Sequence, residues 1–155
     1  MSKTNAVRIL ESKNISFTLK SYEVDESDLS AVTVALKIGA EPEQVFKTLL
    51  TRGDKTGIIV FCIPGNYELN LKKAASVSGN KNIEMVKANE VLSLTGYLRG
   101  GCSPIGMKKS FPTFFDETAN IFDKIYVSAG VRGSQIFLNP VDLKNLVNAE
   151  FADLV

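Results

Sequence analysis

Three short segments of this sequence hold the residue types that could bind or transform a ligand. They are VFKTLL at 45–50, GGCSPIGMKK at 100–109 and VSAGVRG at 127–133. The first offers a lysine among apolar neighbours, and the other two combine glycines with hydroxyls and cations. Glycines let a backbone approach a ligand closely, and successive amides in such turns can bind an oxyanion or phosphate. Together the three segments could hold a carbonyl or phosphate oxygen.

Lys47 in the first segment has two interpretations. Because side chains alternate along a strand, Lys47 lies on the face opposite Phe46. In one interpretation it points to solvent from a half-exposed strand, and the spacing alone favours this. In the other it points into a cleft and binds an anionic or carbonyl oxygen. There it could also act as a base if burial lowered its pKa.

The glycine-rich segment also has two interpretations. Gly100 and Gly101 form either a corner between a strand and a loop or a backbone that approaches a ligand. Cys102 follows them and would be a nucleophile only if a base, a cation or a helix N-terminus made it a thiolate. Lys108 or Lys109 could supply the positive charge.

The third segment, like the second, combines glycines with a hydroxyl and a cation. Ser128 and Gly130 end a predicted strand, and Arg132 and Gly133 follow. This pattern is typical of a hairpin turn with an exposed Arg132. It could also present backbone amides and a hydroxyl at the end of a strand.

The chain contains no histidine, and this excludes whole classes of active site. The Ser-His-Asp and Cys-His arrangements both need an imidazole base. The two cysteines, Cys62 and Cys102, are too few for a zinc site without histidine, and they do not form a disulfide framework. We therefore expect no metal and no cofactor.

The composition predicts an ordinary domain. The 155 residues, 45% of them apolar and 23% charged, suit a single domain over 1–155 with a true core. A net charge of +1 excludes a broad cationic surface but leaves room for a local patch. The longest apolar run, GIIVFCIPG, is far shorter than a membrane span, and the N-terminus lacks the features of a signal peptide. We expect a cytoplasmic protein that does not bind membranes.

Hydrophobic periodicity and turn residues predict helices and strands in mixed order, which favours an α+β fold with a mixed sheet. The predicted helices cover 5–13, 25–38, 67–79, 89–96 and 140–151, and the predicted strands cover 15–24, 45–53, 57–65, 112–119, 124–130 and 133–139. Thr4 or Asn5 can cap the first helix, Gly39 and Gly79 end the second and third, and Asn139 and Pro140 open the last. The connection GDKTG predicts a hairpin between the strands at 45–53 and 57–65.

Several segments taken together resemble one family. VFKTLL, LNLKKAA, GYLRGGCSPIGMKK, IYVSAGVRG and DLKNLVNAEFADL occur here in the order and spacing of the YbaK family, relatives of the editing domain inserted in bacterial prolyl-tRNA synthetases. The most specific pieces are GG-x-SP-x-G-x-KK and VS-x-G-x-RG, and the similarity spans nearly the whole chain. The resemblance implies a compact α+β domain with a mixed, barrel-like sheet and surrounding helices.

The resemblance also implies a function. It predicts a trans-acting aminoacyl-tRNA deacylase that removes cysteine mischarged onto tRNA(Pro), with that tRNA and prolyl-tRNA synthetase as partners and no binding of DNA. The family pattern assigns a catalytic role to Lys47 and substrate binding to Tyr22, Gly100, Gly101, Ser103, Ser128 and Gly130. Relatives typically carry an aliphatic residue at the position of Cys102, which is therefore interpreted as a bystander. Some carry an acid where this chain has Gln135, so its amino-acid preference could differ.

This function fits the residues available. An aminoacyl ester is already activated, so the site mainly needs donors that stabilise negative charge on the carbonyl oxygen. The hypothesis is that the thiol of the cysteinyl group attacks the carbonyl of the same group. This attack releases the tRNA and forms a small thiolactone, a route proposed for the family. Attack by water is the alternative.

Other functions remain open at this point. The chain could deacylate an alanyl- or seryl-tRNA, or it could bind tRNA or a synthetase without catalysis. A nucleotide hydrolase is disfavoured because no phosphate-loop motif is present. Two lysine pairs near these segments either contact tRNA phosphates or are solvated: Lys72 and Lys73, and Lys108 and Lys109.

Overall fold

The structure is a computed structural model that describes residues 3–155. Within this range the chain forms five α-helices and eight β-strands. The helices are α1 (Asn5–Ser12), α2 (Ala31–Ile38), α3 (Leu71–Ser78), α4 (Val91–Thr95) and α5 (Pro140–Leu146). The strands are β1 (Phe17–Ser21), β2 (Phe46–Gly53), β3 (Gly57–Pro64), β4 (Ile83–Met85), β5 (Thr113–Asp116), β6 (Ile125–Ser128), β7 (Ser134–Leu138) and β8 (Glu150–Ala152).

Polar caps and glycines set the helix ends, as the sequence predicts. Side-chain oxygens of Thr4 and Asn139 accept hydrogen bonds from the first amides of α1 and α5, and Pro140 occupies the first position of α5. Gly39 and Gly79 end α2 and α3 in the left-handed conformation, with φ of 72° and 76°. These predicted boundaries are confirmed.

The strands form two sheets. One is antiparallel with the order β1-β7-β6, and the other is mixed with the order β4-β2-β3-β5-β8. In the mixed sheet β2 is antiparallel to β3 and β4, whereas β3, β5 and β8 run parallel. The hairpin predicted from GDKTG is confirmed, since Gly53 pairs with Gly57. The predicted α+β class with a mixed sheet is therefore confirmed.

The junction of the two sheets positions the site. Strand β4 pairs with β2 only over 51–53, which leaves the start of β2 available to β6. There Val45 forms a parallel bridge with Tyr126. The β2 and β6 segments run in the same direction from this bridge. Lys47 and Ser128 each lie two residues beyond it, so they come to the same level along the two strands. In residues 3–155 the sheets meet at this junction and do not close into a continuous barrel.

Two apolar layers hold the sheets in place. Side chains of both sheets, α1 and α5 form the main core, which includes Leu10, Phe115 and Leu143. The other face of the mixed sheet packs on α3 through residues such as Phe61 and Ala74. None of the helices in the described part of the chain is both long and apolar enough to cross a bilayer.

The loop before α2 departs from the prediction. The helix predicted from residue 25 begins only at Ala31. Carboxylate oxygens of Asp25 and Asp28 each accept a 3.0 Å hydrogen bond from the amide two residues further on, at Ser27 and Ser30. These side chains stabilise turns that compete with helix formation.

Two short strands were also not predicted. Strand β4 was missed, and β8 was predicted to be the end of the last helix. Three residues are too few to show a strand periodicity. Helix α5 ends at Leu146, and Asn148 then takes a left-handed φ of 55°, so the chain turns back to pair with β5. The first strand is shorter than predicted, ending at Ser21.

Candidate functional site

A cavity of about 530 Å³ lies beside the junction of the two sheets. It is bounded by the start of β2, the facing ends of β6 and β7, the loop before α2, and the segment 99–102, which we call the glycine loop. Of the residues predicted from the sequence, Lys47, Gly100 and Ser128 line this cavity. The structure thus brings together one residue from each of the three segments that the sequence singled out.

Lys47 is half-buried at the start of β2 and lines the cavity, as in the second of its two interpretations. Its Nζ donates to the Gly65 carbonyl oxygen at 3.3 Å. A side chain at Gly65 would collide with α2, because a Cβ there would lie 2.7 Å from the Cβ of Ala31. Burial lowers the pKa of Lys47, and the carboxylate of Glu68 opposes this shift.

The loop at the mouth of the cavity is fixed by its own carboxylates. Asp28 accepts hydrogen bonds from the hydroxyl of Thr33, at 2.6 Å, and from the Ser30 amide, and these bonds lower its pKa. Ser30 in turn caps α2 by accepting from the Thr33 amide. Asp28 is therefore ionised at neutral pH and is already engaged by the loop.

The glycine loop packs backbone to backbone against the β6–β7 turn. A Cβ at Gly101 would lie 3.0 Å from the Arg132 nitrogen and 3.1 Å from the Val131 carbonyl carbon. Gly100 has a left-handed φ of 85° and lies against the Leu29 side chain. Glycine is needed at both positions, at Gly101 for close approach and at Gly100 for its conformation.

The amides of this loop do not all face a ligand. Gly101 donates to the Leu98 carbonyl oxygen at 3.0 Å and so closes a turn. The Arg99, Gly100 and Cys102 amides donate to no backbone carbonyl within residues 3–155, and all three residues line the cavity. Within the glycine loop, the Gly101 amide is therefore not available to a ligand, whereas the other three amides are.

The β6–β7 turn offers the cavity the Ser128 hydroxyl and not the Gly130 amide. Its Oγ accepts from the Gly130 amide at 3.1 Å, so that amide is used inside the turn. Gly130 has a φ of 98°, and a Cβ there would lie 2.7 Å from the Tyr97 ring. Gly130 is therefore a packing position beneath the site. In the described chain the Ser128 hydroxyl hydrogen has no protein acceptor and can donate to a ligand.

Three further predicted residues lie outside the cavity lining. Ser103 is fully buried, and its Oγ accepts from the Ile105 amide at 3.2 Å, so it shapes the chain behind the glycine loop. Gly101 likewise supports the loop without lining the cavity. Tyr22 packs on the cluster around Val34 and Val45, which do line it.

Tyr97 supports the site and was not found from the sequence. Its hydroxyl donates to the Ile105 carbonyl oxygen, and its ring packs on Gly130. Burial raises its pKa to about 12, so it stays protonated. The only sequence signal is an aromatic residue two positions before the glycine loop, in TGYLRGG.

Cys102 lines the cavity, but its thiol is not activated. Burial raises its pKa to about 11. A thiol with this pKa is almost entirely protonated at neutral pH and is a poor nucleophile. This supports the interpretation of Cys102 as a bystander.

Gln135 was connected with amino-acid preference in the sequence analysis but was not among the predicted site residues. It lies on β7, opposite Ser128 in the sheet register, and lines the cavity. The resemblance had marked this position as one where some relatives carry an acid and where amino-acid preference could change.

None of the four paired lysines is among the residues that line the cavity. Lys73 donates to Asp153 at 3.0 Å and to the Val155 carbonyl oxygen at 2.6 Å, so it is held away from the cavity. Lys72, Lys108 and Lys109 do not line the cavity either. Within the described residues no group of three or more acidic or cysteine side chains could hold a metal.

Comparisons with known proteins identify the family of this chain. The model of the aminoacyl-tRNA editing domain matches residues 26–146. EbsC of Enterococcus faecalis, named as a candidate Cys-tRNA(Pro)/Cys-tRNA(Cys) deacylase, is 49% identical over 152 residues, covering 98% of this chain and 93% of that protein. A proline–tRNA ligase of Thermosipho melanesiensis is 26% identical, covering 79% of this chain and 21% of that protein.

A solved structure shows the same fold. It is described as a candidate trans-editing enzyme for prolyl tRNA synthetase, and it superposes with a TM-score of 0.81 at 28% identity, covering 99% of this chain and 98% of that one. The family match spans most of the chain, including the loop before α2, Lys47, the glycine loop and the β6–β7 turn. The chain belongs to the aminoacyl-tRNA editing domain family.

Proposed function

We propose that this protein is a trans-acting aminoacyl-tRNA deacylase that removes cysteine from mischarged tRNA(Pro). The observation that carries the proposal is the convergence of Lys47, the Gly100 and Cys102 segment and Ser128 on one cavity. A relative that is 49% identical over nearly the whole chain, and is named for this activity, supports the choice of substrate.

The site is suited to stabilising an oxyanion. The Gly100 and Cys102 amides and the Ser128 hydroxyl are donors that the described chain leaves available. A correctly aimed donor of this kind contributes roughly 3 to 4 kcal/mol to transition-state stabilisation. Three donors on one cavity can therefore hold the ester carbonyl as it becomes tetrahedral.

The nucleophile in this proposal belongs to the substrate. The cysteinyl sulfur forms a bond to its own carbonyl carbon, and the bond to the ribose oxygen breaks. The thiol proton passes through solvent to that oxygen, so the products are a four-membered thiolactone and tRNA with a free terminal hydroxyl. This step needs no protein base, in keeping with a protonated Cys102 and a chain without histidine.

Lys47 acts in this proposal as a cation. Its ammonium lies on the cavity wall, held by the Gly65 carbonyl oxygen. There it would neutralise charge on the carbonyl oxygen or on the terminal ribose-phosphate oxygens. Gly101, Ser103 and Gly130 contribute by fixing the backbone, and we place Tyr22 behind the cavity wall.

We propose the tRNA and prolyl-tRNA synthetase as partners. The net charge of +1 predicts weak binding of tRNA alone, because affinity for nucleic acid depends on the phosphates neutralised. Capture of tRNA(Pro) while it is held by the synthetase would offset this weakness.

Release of amino acid from cysteinyl-, alanyl- and prolyl-tRNA(Pro) tests the proposal, with and without prolyl-tRNA synthetase. We expect loss of the cysteinyl ester alone, and loss of this activity in Lys47→Ala. Lys55→Ala is the matched control, because Lys55 lies in the exposed β2–β3 turn.

Two other outcomes would lead to different conclusions. Absence of turnover with every ester, even with the synthetase, would identify a binding module. Equal rates on cysteinyl and 2-aminobutyryl esters would replace the thiol route by attack of water, since the second ester has no thiol.

A further inference from the structure

The two sides of the cavity mouth carry opposite charges. The loop before α2 contributes acids and no cation: Glu23, Asp25, Glu26 and Asp28. On the other side, no acid occurs between residues 91 and 115, and Arg99 lines the cavity from the glycine loop. The cavity is therefore bounded by an acidic wall, which is the loop before α2, and by a basic wall, which is the glycine loop and the chain around it.

Arg99 is a cation on the basic wall that the protein leaves free. The residue is exposed, and within residues 3–155 its guanidinium forms no ion pair. The other guanidinium at the mouth, that of Arg132, is engaged by Glu26 and by the Arg99 carbonyl oxygen. This bond to its carbonyl oxygen fixes the Arg99 backbone, so the Arg99 side chain can bind an anion from a defined position.

Lys108 extends the basic wall away from the cavity. Its amide donates to the Thr95 carbonyl oxygen at 3.0 Å, and its Cγ and Cε lie 3.2 and 3.5 Å from the position of a Cβ on Gly96. The lysine stem therefore lies along the chain that leads to Arg99, three positions after Gly96. Lys108 is exposed and, in the described part of the chain, has no carboxylate partner.

The chemistry of an aminoacyl-tRNA identifies the anion that these cations meet. The amino acid is bonded to the ribose of the terminal nucleotide, and the same nucleotide carries a phosphate. When the ester lies in the cavity, this phosphate and the next one lie at or just outside the mouth. Exposed charges act over about 10 Å at moderate ionic strength, so the acidic wall repels these phosphates and the basic wall attracts them.

We propose that Arg99 and Lys108 bind the first phosphates of the tRNA strand, so that the strand leaves the cavity over the glycine loop and not over the loop before α2. A guanidinium can bind two phosphate oxygens through parallel hydrogen bonds, and an ammonium binds as a point charge. This inference rests on the proposed deacylase function. It concerns how the RNA is held, and it leaves Lys47 to the carbonyl oxygen inside the cavity.

The test compares a substrate that carries phosphates with one that carries none. The substrates are cysteinyl-tRNA(Pro) and the cysteinyl ester of adenosine, which keeps the amino acid, the ester and the ribose. The proteins are the wild type and the double variant Arg99→Gln, Lys108→Met, in which Met keeps the packing of the stem on Gly96. For the double variant we expect kcat/KM to fall roughly tenfold to thirtyfold with the tRNA, and by less than about threefold with the adenosine ester.

The salt dependence of the tRNA reaction is a second readout that needs no second substrate. Each phosphate contact with a single strand contributes about 0.7 to the slope of log kcat/KM against log salt concentration, so loss of two contacts should lower the slope by about 1.4. A merely structural defect lowers the rate at every salt concentration and leaves the slope unchanged. Arg99→Lys keeps the charge and should keep the wild-type slope.

A second double variant, Lys55→Met with Lys81→Met, is the matched control for the loss of two charges. Both lysines are exposed, and the Lys81 amide donates to the carboxylate of Asp54 in the β2–β3 turn. This turn lies at the opposite end of β2 from Lys47. The control should keep the wild-type slope and both rates. An equal loss of slope in the control would overturn the proposal, because net charge alone would then explain the effect.

The remaining outcomes separate the proposal from the function. Equal losses with the two substrates, or an unchanged slope in the Arg99 and Lys108 double variant, overturn the proposal while the deacylase function stands. If the wild type releases cysteine from neither substrate, even with prolyl-tRNA synthetase, the function itself fails. If the double variant matches the wild type alone and loses activity only when the synthetase is added, the basic wall contacts the synthetase, and the proposal is overturned.

Discussion

Arg132 and Glu26 form an ion pair of 2.8 Å across the mouth of the cavity. The Arg132 Nε also donates to the Arg99 carbonyl oxygen at 2.9 Å. One guanidinium thus connects the β6–β7 turn to both the glycine loop and the loop before α2. The sequence alone favoured an exposed Arg132 in a hairpin turn. That interpretation is right about the turn but misses this connection, because Glu26 lies 106 positions away.

This connection predicts that Glu26→Gln will impair activity more than stability. Ion pairs with solvent access contribute about 1 kcal/mol or less, so the melting temperature should change little. A small shift of the glycine loop would misplace its donors, and we expect kcat/KM for the cysteinyl ester to fall roughly tenfold. Both quantities can be measured on the same preparation.

Glu11→Gln provides the control for this prediction. Glu11 forms a 2.8 Å ion pair with Lys3 on the surface, and neither residue lines the cavity. Its loss should leave kcat/KM unchanged. Equal effects of the two substitutions would show that the Arg132–Glu26 pair has no special role in the site.

Gly130→Ala is predicted to destabilise the protein strongly. The new Cβ would lie 2.7 Å from the Tyr97 ring, and the residue would also keep a left-handed φ. Gly79→Ala isolates the second effect, since Gly79 has a similar φ but no atom within 4 Å of a Cβ. We expect about 1 to 2 kcal/mol for Gly79→Ala, and a further loss of about 1 to 3 kcal/mol for Gly130→Ala, in urea unfolding. Similar losses in the two variants would contradict the predicted contact with Tyr97.

The sequence predicted local features of the fold better than contacts between distant segments. Caps at Thr4 and Asn139 and the turn between β2 and β3 depend on neighbouring residues, so their signals are present in a few letters. Strand β8 depends on pairing with β5, which no local pattern encodes. The loop before α2 was mispredicted because hydrogen bonds accepted by the Asp25 and Asp28 carboxylates compete with the helix.

The same limit applies to the site. Lys47, Gly100 and Ser128 were identified through the resemblance and a few letters around each. The use of the Gly101 and Gly130 amides inside turns could not be predicted, because it depends on the local path of the backbone. Within residues 3–155 the buried Oε1 of Gln135 has no hydrogen-bond partner, which depends on everything that surrounds it, so only the folded chain reveals it.

The lowered pKa of Lys47 predicts a pH dependence of activity. If its ammonium is required, kcat/KM falls as pH rises through a pKa that lies below 10.5, the ordinary value for lysine. Glu68 raises this pKa, so Glu68→Gln should move the fall to lower pH. The rate must be corrected for alkaline hydrolysis of the ester without enzyme.

One control accompanies this pH profile. Glu84→Gln, on the exposed face of β4, should leave the profile unchanged. An unchanged profile in Glu68→Gln would contradict the assigned interaction.

The same lowered pKa of Lys47 also affects stability. Between the lowered pKa and the ordinary value, the unfolded protein binds more protons than the folded one, so the free energy of unfolding should rise with pH in that window. Lys47→Met should abolish this contribution to the rise.

The two cysteines are predicted to differ from an ordinary thiol in reactivity. Burial raises the pKa of Cys102 from 9.0 to about 11, which reduces its thiolate fraction at neutral pH roughly a hundredfold. Burial raises the pKa of Cys62 to about 12, and its side chain is fully buried. We expect iodoacetamide to label Cys102 slowly and Cys62 only after unfolding, as followed by mass spectrometry of the peptides. Labelling of Cys102 in the native protein faster than in denaturant would mean that the cavity activates the thiol. The bystander interpretation, and with it the case for a nucleophile supplied by the substrate, would then be wrong.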